Sequence, residues 1–164
     1  MSNIHILDNY VHHVTSSFRY AYNFHPHQFG GIAVNVNGLT GTDKYRNVLI
    51  EGNRVENVGR TGIVVWDHIF AKYDEACTGV RIRKNSVKDI DSDGILTYGC
   101  DGALIEHNVA DGCGSYREDG GFNGSAAIWC TRGSNCIIQY NEAFNTHMLE
   151  GNADGTAFDI DIDA

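Results

Sequence analysis

Apolar and polar positions recur along this chain in one pattern: apolar, any, Ile, any, any, Asn. It occurs five times, as IHILDN (4–9), VLIEGN (48–53), VRIRKN (80–85), ALIEHN (103–108) and CIIQYN (136–141). Ile6, Ile50, Ile82, Ile105 and Ile138 each stand three residues before Asn9, Asn53, Asn85, Asn108 and Asn141. The Asn residues are 44, 32, 23 and 33 positions apart, so the strand is fixed and its connections vary in length. Fixed strands joined by elastic loops are the mark of a solenoid whose coils carry insertions.

A second recurrent segment follows each Asn: GIAV (31–34), GIVV (62–65), GILT (94–97), SAAI (125–128) and GTAF (155–158). A small residue opens each one. Two strands per coil, turns between them and no helix-period segment predict an all-β, right-handed parallel β-helix of about five coils, in which every strand pairs with its copy one coil along. The whole chain, 1–164, reads as one domain with coils starting near 4, 48, 80, 103 and 136. Insertions fall at 10–30, 35–47, 67–79 and 109–124. The Asn sits at the bend after a strand, where it tolerates left-handed backbone angles and its amide can bond to the backbone. Copies stacked about 4.8 Å apart would let each side-chain amide donate to the next, an internal asparagine ladder with a scaffolding role.

Composition agrees with this reading. Nineteen Gly and one Pro suit a turn-rich β protein. A net charge of −9 disfavours nucleic acid and anionic membrane surfaces, because phosphate neutralisation needs clustered Lys and Arg. No stretch approaches the ~20 apolar residues of a membrane span, and MSNIHILDNYVHH lacks the basic and apolar regions of a signal peptide. The first repeat begins at Ile4 and the last runs to IDIDA without a polar closing element, so the chain is expected to be a section of a longer solenoid or to associate through uncapped ends. Five Cys without CxxC spacing read as buried small hydrophobes; Cys100 and Cys130 are the pair best placed for a disulfide.

The Ile-x-x-Asn strands, the Gly-Ile strands and the Asn row together resemble the right-handed parallel β-helix superfamily typified by pectin lyase. IIQYNEAFNTHMLEGNADGTAFDIDID (137–163) is similar to a stretch of bacterial β-helix repeat proteins that act on polysaccharides. The resemblance implies a carbohydrate-active protein, a glycoside hydrolase or polysaccharide lyase, with a polysaccharide or oligosaccharide partner and an extracellular or periplasmic parent. The alternative is a non-catalytic module for glycan binding, adhesion or structure. Arg-x-Pro-x-x-Arg of the calcium-dependent pectate lyases is absent, as are Gly-His-Gly and Arg-Ile-Lys of the polygalacturonases.

Chemistry is sought in what varies between coils. Aligned on their small opening residue, the second strands place Asn35, Trp66, Tyr98, Trp129 and Asp159 in one column, which strand alternation turns outward. An exposed aromatic row would stack on sugar C–H faces, with Asn35 beside it. The competing reading is that the turns at 67–79 and 109–124 fold over these rings. Asp159, Asp161 and Asp163 share one face of the last strand, and Asp67 with His68 follows Trp66. Paired carboxylates cleave glycosides as acid with base or nucleophile, so Asp159 and Asp161 are the candidate catalytic groups, with Asp67 and His68 in support. Clustered carboxylates, Asp154 and Asp163 among them, could instead hold Ca²⁺. His12 with His13, and His25 with His27, are pairs that could bind a metal but lack a further ligand.

Overall fold

The computed structural model describes residues 1–15, 25–36, 44–67, 77–115, 125–148 and 154–161. Among the described residues, sixteen strands form three parallel sheets around a common core, a parallel β-helix of five coils. The Ile-x-x-Asn strands make the first sheet, in the order β1 (Ser2–Leu7), β4 (Arg46–Glu51), β7 (Cys77–Arg83), β11 (Leu104–Glu106) and β14 (Ile137–Gln139), with β10 (Cys100–Asp101) beside β7. The Gly-Ile strands make the third: β3 (Gly30–Val36), β6 (Thr61–Asp67), β9 (Ile95–Tyr98), β13 (Ser125–Thr131) and β16 (Asp154–Asp161). Among the described residues no helix is long and apolar enough to cross a membrane.

Each coil therefore has three strands where two were expected. The middle sheet is β2 (Tyr10–Val14), β5 (Arg54–Val58), β8 (Ser86–Ile90), β12 (Val109–Cys113) and β15 (Glu142–Phe144). Its strands begin directly after the Asn and carry inward residues at the second and fifth positions, as in Val55 with Val58 and Val87 with Ile90, all fully buried. The intervening pair of polar residues breaks simple alternation, because Asn57 and Asp89 take left-handed φ of 52° and 51° and kink the strand. A period of three inside a five-residue strand hides it from an alternation test.

Inside the coils, Val48, Ile50, Ile63, Ile82, Ile95, Ile105 and Ile128 form one column-packed core with little or no exposure. The Asn residues close the corner between the first and second sheets. Nδ2 of Asn9, Asn53, Asn85 and Asn108 donates to Oδ1 of the Asn one coil along at 2.9, 3.0, 3.0 and 3.0 Å. The same oxygens accept the backbone N–H of the preceding Asn, and each amide also reaches the carbonyl of an Ile in the coil before, such as Asn108 to Ile82 at 2.9 Å. The left-handed bend lies one residue earlier than expected, at Asp8, Gly52, Lys84, His107 and Tyr140, with φ between 53° and 70°. That bend is what turns the Asn side chain inward. Asn108→Ala would leave the buried Asn85 backbone N–H without its acceptor and remove one bond each from Asn85 Nδ2, Asn141 Oδ1 and the Ile82 carbonyl. At about 1–3 kcal/mol per orphaned buried group, we expect a loss of roughly 3 kcal/mol in urea unfolding.

The five Cys are free thiols, so the Cys100–Cys130 disulfide does not form. Cys100 instead pairs in register with Cys77, and both lie fully buried, as small hydrophobes do. Burial drives the Cys77 thiol pKa up to about 12 and raises that of Cys100 well above its ordinary value.

Candidate active site

The outer face of the third sheet carries the unusual chemistry. In most of a β-helix the outward residues of a strand are wet, yet all seven residues of β6 and of β13 are buried. Outward-facing Val64, Trp66, Leu96, Tyr98, Ala126 and Trp129 form a second apolar cluster on the outside of the coil. The aromatic row is thus covered, not exposed, with 3% of Trp66 and 8% each of Tyr98 and Trp129 accessible. It is also displaced. Trp66 pairs with Tyr98, and their rings stack at 3.9 Å, but the next residue in that column is Thr131; Trp129 lies beside Leu96 instead. The reason is the glycine position. Ala127, rather than Ser125, follows Gly94 in the stack, and a Cβ on Gly94 would stand 2.3 Å from the Ala127 carbonyl oxygen. Trp129→Ala removes a buried ring, so we expect about 3–5 kcal/mol of destabilisation by thermal or urea melting, well beyond the loss of one surface contact.

What covers the aromatics is a 3-10 turn, Pro26–Gln28, held over the sheet. Pro26 presets its first φ, and the His25 ring caps it by accepting the His27 N–H at 3.4 Å. The two imidazoles stack at 4.7 Å, His25 stacks on Trp66 at 5.3 Å, and His27 meets Trp129 edge-on at 5.4 Å. Asn35 ties this turn to the sheet by donating from Nδ2 to the Gln28 carbonyl at 3.0 Å.

Beneath His27 lies a charge network that alternation and spacing gave no sign of. His27 Nδ1 is 2.5 Å from Asp93 Oδ2, and Asp93 is fully buried. Thr61 and Ser92 hydroxyls donate to the same oxygen at 3.3 Å each. Arg60, 2% exposed, donates from Nη1 to the Ser92 hydroxyl at 2.7 Å, and its Nη2 stands 3.8 Å from Asp93 Oδ2 and 2.8 Å from His27 Nδ1. Asp93 Oδ2 and Arg60 Nη2 thus meet the same ring nitrogen of His27. Burial alone would raise the Asp93 carboxyl; His27, Arg60 and the Ser92 hydroxyl outweigh it and hold the group below the usual carboxylate range.

Next to this network runs β16. Its Asp159 pairs in register with Trp129 and its Asp161 with Thr131, so both share the outward face, each half-buried. Asp154 begins the strand at a β-bulge opposite Ser125 and Ala126. Asp154 and Gly155 both take left-handed φ, 73° and 86°, and a Cβ on Gly155 would stand 2.4 Å from that of Met148. Bulges re-aim side chains, here a carboxyl toward its neighbours along the strand. Asp154 is exposed, yet partial desolvation raises its pKa, and the charges of Asp159, Asp161 and Asp93 raise it further against a smaller opposing effect of His27. The three carboxyls and the buried network therefore sense one another.

The remaining candidates are dispersed. Asp67 is buried and accepts from the Cys77 thiol at 3.4 Å, at the corner between β6 and β7. His68 and Asp163 lie outside the described residues. His12 and His13 meet through their Nδ1 atoms at 2.8 Å on exposed β2. Among the described residues no three His, Cys, Asp or Glu side chains are grouped to hold a metal ion, so of the Ca²⁺ ligands expected from the sequence only Asp154 can be placed.

The fold and this face define a parallel β-helix protein with a carboxyl-bearing outer strand set against a covered aromatic cluster. No family model matches the chain. The lacto-N-biosidase of Bifidobacterium longum subsp. longum is 34% identical over 145 residues, which cover 72% of this chain. The chain spans 9% of that relative's length.

Proposed function

We propose that this β-helix cleaves a glycosidic bond by hydrolysis, with Asp154 as general acid and Asp159 or Asp161 supplying the base or nucleophile. The observation that carries this reading is the grouping of three Asp on strand β16, near enough for Asp159 and Asp161 to raise the Asp154 carboxyl. Partial desolvation and the charges of Asp159 and Asp161 push exposed Asp154 toward its protonated form, against a smaller opposing effect of His27. A glycoside hydrolase needs such a split, one carboxyl keeping its proton for the leaving oxygen while a second stays charged.

Hydrolysis is favoured over lyase chemistry by charge. A lyase draws a uronate into its site and must neutralise that carboxylate. Three Asp side chains on one strand repel it. A neutral oligosaccharide meets no such barrier, and similarity to a lacto-N-biosidase supports a substrate of the lacto-N-biose type. No step in this scheme passes through a metal ion; Ca²⁺, if bound at Asp154, would compete with the proton that the acid must carry.

The test is release of lacto-N-biose from its 4-nitrophenyl glycoside and from a glycan in which the leaving group is a sugar, assayed with and without EDTA. Turnover abolished by Asp154→Asn and by one of Asp159→Asn and Asp161→Asn supports the scheme and names the second carboxylate. Turnover that survives all three substitutions, or unsaturated product ends, overturns it. A chain that binds these glycans without turnover is the non-catalytic module that the sequence leaves as the alternative.

A further inference from the structure

We propose that Cys130 and Cys136 form a redox-active dithiol, which a peroxide closes to a disulfide across the corner between β13 and β14. The placement follows from register. Cys130 pairs with Thr97, two positions after Ile128 pairs with Ile95, and so lies in the inward column of the third sheet. Cys136 directly precedes β14, whose Ile137 and Ile138 pair with Leu104 and Ile105, so it stacks beside buried Ala103 and packs against the core. Both thiols therefore face inward at one corner. The coil before spans the same corner from Thr97 to Ala103, a pair with no sulfur to join.

The local contacts bring the sulfurs together. The two thiols share a hydrogen bond, and Cys136 Sγ stands 3.6 Å from the Cys100 carbonyl oxygen and 3.7 Å from that of Ser134. Glycine at 133 keeps the corner tight: a Cβ there would stand 3.0 Å from Cys136 Sγ and 2.4 Å from the Cys100 carbonyl oxygen. Exposure then divides the roles. Cys130 is buried, whereas Cys136 is half-buried and is the sulfur that a solute can reach. The bond from Cys130 lowers the Cys136 pKa to about 7, while that bond and burial raise the pKa of Cys130. Cys77, Cys100 and Cys113 are fully buried with raised pKa values, as inert core thiols are.

The chemistry closes with hydrogen peroxide as oxidant. The Cys136 thiolate attacks one peroxide oxygen, the O–O bond breaks, hydroxide leaves, and Cys136 becomes a sulfenic acid. Cys130 sulfur then attacks the sulfenic sulfur: the S–S bond forms, the S–O bond breaks, and the oxygen leaves as water with the Cys130 proton. Two thiols lose two electrons, and one peroxide becomes two waters once the hydroxide takes up the proton that Cys136 released. The bridge ties β13, on which the Asp-bearing β16 is laid, to the first sheet.

The experiment treats the reduced, unsubstituted full chain with hydrogen peroxide, blocks remaining thiols with iodoacetamide and digests with trypsin. Cleavage after Arg117 and Arg132 leaves Cys130 in 118–132 and Cys136 in 133–164, while Cys77, Cys100 and Cys113 fall in other peptides. The expected product is 118–132 joined to 133–164, lighter than their sum by two hydrogens and parted by a reductant. Without peroxide, iodoacetamide at pH 7 should label Cys136 at least ~10-fold faster than the other four. In Cys130→Ser, oxidation should stop at a Cys136 sulfenic acid that dimedone captures. A bridge from Cys136 to the Cys100 peptide, Cys136 sulfinic acid without the expected cross-link, or thiols that peroxide leaves unchanged would each overturn the proposal.

Discussion

Asp154→Asn is expected to lower turnover of a lacto-N-bioside with a sugar leaving group by about 10²- to 10⁴-fold, the usual worth of a positioned general acid. The loss should shrink on the 4-nitrophenyl glycoside, because nitrophenolate departs with little help from a proton. This contrast distinguishes an acid from a binding residue, which would lose both substrates alike. The pH profile has a definite sign. Asp154 acts only while protonated, so activity falls as pH rises through its pKa. Partial desolvation and the charges of Asp159 and Asp161 raise that pKa, placing the alkaline limb above that of an unperturbed Asp. Asn at 159 or 161 removes one raising charge and should shift the limb to lower pH in whichever variant keeps measurable turnover. The same shift has a stability counterpart: a carboxyl whose folded pKa is raised favours folding below its unfolded pKa, and that share is lost as pH climbs through the folded value. An unshifted limb in the Asp159 and Asp161 variants would mean that these charges do not reach Asp154.

Much of the scaffold was legible because it repeats. The Ile and Asn registers placed the first sheet, and the glycine-led segments placed the third, since repetition averages out the ambiguity of any single strand. The middle sheet was missed where Asn57 and Asp89 kink the strands away from simple alternation. Alignment of SAAIW on its serine failed for a related reason: any small residue can open the strand, and Ala127 does so in that coil. The outward direction of Trp66, Tyr98 and Trp129 followed from alternation, but their burial depends on a turn at 25–28 folding back across the sheet, which local pattern does not encode. Asp93 could have been suspected. Asp-Gly stands ahead of the third strand at 93–94 and again at 154–155, a turn signal shared by the two carboxyls that matter most here. Its partners could not be guessed, since His27 and Arg60 are brought to it only by stacking three coils.

Asp93→Ala should be strongly destabilising, costing about 3–5 kcal/mol in urea unfolding, because it takes a buried carboxylate away from His27 Nδ1 and the Arg60 guanidinium. The pair is costly to assemble as well as to break. Desolvation of Asp93 opposes its ionisation, and the network recovers that cost only through His27, Arg60 and the hydroxyls of Ser92 and Thr61. Replacing both charges together, as Asp93→Leu with Arg60→Met, should therefore restore most of the stability lost by the single change. The pH dependence follows from the depressed Asp93 pKa: its contribution is complete above the unfolded carboxylate value of about 3.9 and is lost as pH falls through the folded value. Acid unfolding of the double variant should accordingly begin at lower pH than that of the parent chain.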